Sequence, residues 1–190
     1  MTPAGGAPVP AQIEQARAAL DRHLGSVLGG RTLESVGWQR PDPLTLYVPL
    51  RGYTSITSAS AYGFDPSESA SASEQLFAGA PGGHDYLLRL YFGHYPGWPP
   101  SARFVNPVSK EFGPGDKQWL PMISGTNELH VHASYSGGGQ LICCSATLEF
   151  YLVSHNVEER HRWRPGSSFA ITLNVLSRHL RPPTYTGRQQ

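Results

Sequence analysis

Apolar residues recur at three- and four-residue spacing near the start of the chain. Ile13, Ala16, Leu20, Leu24 and Leu28 fall on one helical face, and Gly29 and Gly30 supply the stop. The period then changes. "TLESVGW" and "LTLYVPL" are short β-prone runs separated by "QRPDP", a turn-rich break. "YLLRLYF" and "ARFVNP" read as two further strands, joined by the rigid stretch "HYPGWPPS". Residues 107–128 are irregular, with "GPGDKQ" as a turn. "ELHVHASY" and "LICCSATLEFYLV" are β-prone or extended on either side of the triplet Gly137–Gly138–Gly139, and "HNVEERHRWRPG" is a polar connection. A second helical stripe, Phe169, Leu173, Leu176 and Leu180, follows Ser167 or Ser168 as N-cap. "RPP" ends it, and residues 183–190 read as a tail.

This order predicts an α+β domain: an N-terminal helix, an antiparallel meander of about four strands, an irregular cysteine-bearing segment, then one helix. The single domain spans 10–182, after a Gly/Ala/Pro-rich flexible N-terminus at 1–9. A Ser/Ala-rich loop interrupts it at about 53–84. With 190 residues, 39% of them hydrophobic, the chain has enough apolar surface for one core. A net charge of +1, with 15% of residues charged, gives no electrostatic footprint for nucleic acid or an anionic membrane. The apolar runs are too short for a membrane span, and "MTPAGGAPVPAQIEQ" lacks the basic start and apolar stretch of a secretory signal. The expected location is the cytoplasm.

Cys143 and Cys144 are the only cysteines and are adjacent, which excludes a disulfide framework. Each is then structural, catalytic or a metal ligand. His130, His132, His155 and His161 would complete a zinc site with them. The spacings match no C-x-x-C or H-x-x-x-H pattern, so neither metal nor cofactor is expected. A papain-like hydrolase would also use Cys and His, but the order of elements does not suit it.

Three motifs give the cysteines a context. Tyr95-Pro96-Gly97-Trp98-Pro99-Pro100 forms a Y-P-x-x-P-P turn, "GGGQLICC" carries the cysteines, and Trp163-Arg164-Pro165 precedes the last helix. In this order, over residues 10–182, the chain resembles the ubiquitin-conjugating enzyme (UBC) fold family. It departs from eukaryotic members in several ways. The spacings from Pro100 to Cys143 and from Cys143 to Trp163 are longer, "HVHASY" stands where the family has H-P-N, and the later C-terminal helices are missing. These departures look more like divergent bacterial stand-alone relatives, some of them associated with antiphage defence alongside ubiquitin-like proteins and activating enzymes.

The resemblance implies a conjugating enzyme that accepts a ubiquitin-like protein from an activating enzyme as a thioester. It would then pass that protein to an acceptor protein, through an amine. Cys143 aligns with the nucleophile, and Cys144 falls on the apolar position after it. His132 matches the histidine of the tripeptide, where a hydrogen bond would support an oxyanion. His130 lies two residues away on the same strand face. His155 and His161 follow the cysteine and are candidates for the base that deprotonates the amine. The alternative within the same fold is a catalytically inactive scaffold that binds the ubiquitin-like protein.

Overall fold

The computed structural model of the protein describes residues 8–54, 83–135, 139–153, 159 and 161–190. Helix α1 (Pro10–Leu28) buries Ala16, Ala19, Leu20, Leu24 and Leu28, with Ile13 packed at the edge of the same core. Gly29 ends the helix in the left-handed conformation, φ 57°, and its N–H donates to the Gly25 carbonyl. The expected stop is thus where the chain turns.

Four antiparallel strands follow in the order β1 (Gln39–Asp42), β2 (Thr45–Tyr53), β3 (Gly83–Tyr91) and β4 (Ser101–Val105). Leu46 pairs with Leu90, Val48 with Leu88, and Leu88 with Phe104, so alternate positions place these side chains on one face. That face and the Phe169, Leu173, Leu176 and Leu180 stripe of helix α3 (Ala170–His179) share one core with α1. The helix, the four-stranded meander and the later helix agree with the sequence expectation. The loop expected at 53–84 lies outside the described residues except at its ends, where Tyr53 closes β2 and Gly83 opens β3. Most of the flexible segment expected at 1–9 is likewise outside them.

Several local expectations are corrected. "QRPDP" contains strand β1: an edge strand tolerates Pro41, because a proline without an N–H there leaves no ladder bond unmade. Within "TLESVGW", Glu34–Val36 forms a 3-10 turn closed by Gly37 at φ 69°. Helix α3 has Phe169 as its N-cap residue, with the Ser168 hydroxyl accepting from the Ala170 N–H. The cysteine-bearing segment is not irregular: Cys143 ends a strand, and helix α2 (Leu148–Leu152) follows. The presumed tail contains a strand, β8 (Tyr185–Arg188), paired with β5 (Pro121–Ile123).

Strand β8 is held to the main sheet by side chains. The Tyr185 hydroxyl shares hydrogen bonds with the Tyr86 hydroxyl and His84 Nδ1, each 2.7 Å, and the ring lies over Gly52. A Cβ at position 52 would stand 2.5 Å from Tyr185 Cζ. Gly52→Ala is therefore expected to displace the ring and cost about 1–3 kcal/mol, the usual penalty of overpacking. Urea unfolding reads the loss, and faster amide exchange in β8 locates it. Unchanged stability would contradict this packing.

The stretch between β3 and β4 folds around Tyr95, which is 2% exposed and precedes a cis peptide bond to Pro96. Its ring packs edge-on against Phe92, 5.2 Å between centroids, and lies 6.0 Å from the Trp163 ring. Its hydroxyl accepts from the Phe169 N–H at 3.2 Å, shares a hydrogen bond with His23 Nδ1, and donates to the Ser167 carbonyl. One side chain thus ties the strand connection to α1 and to the start of α3.

Candidate functional site

Strands β6 (His130–Tyr135) and β7 (Gly139–Cys143) form a hairpin beside the main sheet. Its position is set by Gln140. The Gln140 amide accepts from the Phe104 N–H at 2.6 Å and donates to the Phe104 carbonyl at 2.7 Å, pairing with both backbone groups of Phe104 at the edge of β4. In the hairpin register His130 faces Cys143, Val131 faces Ile142, and His132 faces Leu141. Directly opposed residues share a sheet face. Val131 and Ile142 therefore turn into the main core, while His130, His132, Leu141 and Cys143 lie on the other side.

On that side Cys143 packs with Leu141 and Phe150, flanked by Tyr135, Tyr151 and Val153. It is 2% exposed, and burial, reinforced by the negative charge of Glu149, pushes its thiol up to about 11. Cys144 turns into the main core, where burial pushes it to about 12. The two cysteines thus occupy opposite faces, and neither is a ready thiolate. The next residues form a tight turn, in which the Thr147 hydroxyl donates to the Ile142 and Cys144 carbonyls. The turn is fixed from outside as well, since the Thr172 hydroxyl of α3 donates to the Ala146 carbonyl at 2.7 Å.

The histidines separate into distinct places. The His132 ring is exposed, 5.9 Å from the His130 ring and 5.9 Å from the Tyr135 ring, and its pKa is lowered by burial of its inner edge and then by His130. His130, opposite Cys143, is the histidine in closer register with the thiol. His161 reaches the turn after Cys144, where its N–H donates to the Ser145 hydroxyl at 2.9 Å. Its ring, however, points elsewhere, with Nε2 3.2 Å from Glu128 Oε1. His155 lies outside the described residues.

No family model, no curated protein and no solved structure matches the chain.

Three groups matter that the sequence does not single out. Glu149, on α2, accepts from the Ser101 hydroxyl at 2.5 Å and from the Ala102 N–H at 3.3 Å. Desolvation raises its pKa, although the residue as a whole retains some exposure. A lone acid inside the apolar run "LEFYL" is the only signal that marks it. Glu128 gathers Arg178 at 2.5 Å and His179 and His161 at 3.2 Å each. Despite desolvation, Arg178 and His179 hold its carboxyl below the ordinary value. The two imidazoles approach different oxygens of the carboxylate, and among the described residues no group of His, Cys, Asp or Glu converges as a metal site. Gln140 is the third, and its role depends on a pairing that only the folded chain supplies.

The three separated motifs meet around this hairpin. The Trp163 indole N–H donates to the Pro96 carbonyl at 2.9 Å, and the Trp163 backbone N–H donates to the Tyr151 hydroxyl. Tyr151 in turn donates to the Ser145 carbonyl, and the Leu148 N–H to the Pro100 carbonyl. The Trp98 ring stacks obliquely on Tyr151, 5.1 Å between centroids. The proline turn, the cysteine turn and the Trp163 segment form one packed unit.

Proposed function

We propose that the protein is a ubiquitin-conjugating-enzyme-like carrier that forms a thioester on Cys143. In this reaction Cys143 Sγ loses its proton and attacks the activated C-terminal carbonyl of a ubiquitin-like protein. The activating enzyme's thiol departs as leaving group. An acceptor amine then attacks the new thioester and regenerates the Cys143 thiol. The observation that carries the reading is the meeting of the Y-P-x-x-P-P turn, the Cys143 turn and Trp163 in one hydrogen-bonded unit beside a helix-and-meander core. Cys143 lies at a strand end, turned away from the main core, with His130 opposite. Its covered thiol means that a partner must open the Leu141–Phe150 cluster before transfer.

The burial itself favours a second reading, an inactive scaffold of the same fold, because a thiol held at about 11 supplies little thiolate at neutral pH. One experiment separates the two. The protein is incubated with an activating enzyme, its ubiquitin-like protein and ATP, and resolved on a non-reducing gel. The carrier reading expects a thiol-sensitive adduct, retained in Cys144→Ser and either lost or converted to a thiol-stable ester in Cys143→Ser. A complex that co-purifies without any covalent adduct supports the scaffold. An adduct that survives Cys143→Ser as a thioester overturns the assignment to Cys143. Among the described residues no helix is long and apolar enough to cross a membrane.

A further inference from the structure

A cavity of about 580 Å³ opens between the C-terminal end of α1, strand β2 and one face of α3, formed by other parts of the chain than the cysteine hairpin. Its volume lies in the range of small-ligand sites. Val27, Trp38, Val48 and Leu173 give it apolar walls. Arg31 is the one charged residue in the described lining, and it is already engaged. Its Nε–H donates to the Leu28 carbonyl at 3.0 Å, its Nη1 is closed off from solvent, and the side chain has a further partner. A charged ligand would therefore give up its hydration without gaining a counter-charge, whereas an uncharged one loses far less. Asn174 and Ser177 line the same cavity three residues apart on α3, which puts them side by side on the helix surface. Among the described residues neither side chain has a hydrogen-bond partner. The Asn174 amide can both donate and accept, and so can the Ser177 hydroxyl.

We propose that this cavity is a binding site for a small uncharged amphiphile, with its apolar body against Trp38 and Leu173 and its polar end, an alcohol or a group that donates and accepts as an alcohol does, on Asn174. The inference is independent of the conjugation reading. Three probes of one chain length separate shape from charge: 1-octanol is neutral, octanoate carries a negative end, and octylammonium a positive one. Each is titrated into the full chain at neutral pH, with amide resonances followed by NMR. Octanol is expected to shift the amides of Leu28, Gly29, Ala170 and Asn174 saturably. Octanoate and octylammonium should each bind at least tenfold more weakly, because neither finds a free counter-charge. Asn174→Leu keeps the bulk of the side chain and removes its polar atoms, and it should weaken octanol about three- to tenfold, the scale of one net hydrogen bond. Ser177→Trp, which puts bulk into the lining from the helix side, should remove octanol binding while the rest of the amide spectrum stays that of the folded chain. The proposal is overturned if octanol gives no saturable shifts at these amides, or if either ion binds as tightly as octanol. It is overturned equally if Asn174→Leu leaves octanol affinity unchanged, or if the folded Ser177→Trp variant still binds it.

Discussion

Replacing Tyr95 by alanine is expected to lower the unfolding free energy by about 3–5 kcal/mol, the range for emptying a large aromatic site in a packed core. Tyr95 is nearly inaccessible, and its ring meets Phe92, Trp163 and the His23 imidazole. The alanine would leave a void between three segments distant in sequence, and the neighbouring rings cannot all collapse into it. Tyr95→Phe isolates the polar part of this cost. It keeps the ring but strands the Phe169 N–H, which donates to the hydroxyl, and the expected loss is about 1–3 kcal/mol. Urea denaturation of both variants measures the two losses. If Tyr95→Phe costs as much as Tyr95→Ala, the ring contacts carry little and the hydrogen bonds dominate. If neither variant is destabilised, the proline turn does not hold the fold together.

The second large effect concerns the thiol. A group held at about 11 rather than at the ordinary 9.0 has roughly a hundredfold less thiolate near neutral pH, so alkylation of Cys143 in the folded protein should be slower by at least that factor. The rate should climb about tenfold per pH unit and level off only near pH 11, because each unit below the pKa removes nine-tenths of the remaining thiolate. Burial is the larger cause and the Glu149 charge the smaller. Glu149→Gln removes that charge, so at any pH where the carboxyl is ionised the variant should react faster. Mass spectrometry of iodoacetamide-treated protein follows both cysteines at once. Cys144, higher at about 12 and enclosed in the main core, should label only when the chain unfolds. A Cys143 that labels as fast as a free thiol would show that the cluster over it opens readily.

The parts of this structure that are legible in the sequence are those written in local periods. The Leu20, Leu24 and Leu28 face and the Phe169, Leu173, Leu176 and Leu180 stripe each repeat every three or four residues, and both are buried as expected. Strands β2 to β4 alternate clearly enough to read. What escapes is set by partners far along the chain. Tyr185–Arg188 has no strong pattern of its own and becomes a strand because β5 and the Tyr86 hydroxyl receive it. "LEFYL" is apolar enough to read as extended, yet it coils into α2, where Glu149 takes the Ser101 hydroxyl. His130 and His132 could be placed on one face from their spacing. That Cys143 shares this face could not, since it follows from hairpin register and not from order along the chain.

That register gives the Gln140 contact a larger consequence than the two hydrogen bonds it makes. Side chains of a strand alternate, so a slip of β7 by one residue would exchange its two faces and bring Cys144 out where Cys143 now lies. With two adjacent cysteines, which sulfur lies on the hairpin's outer face is a choice of phase. The amide clasp on Phe104, with Ile142 seated against Val131, holds that phase. A chain lacking the clasp would keep both thiols while losing the distinction between them.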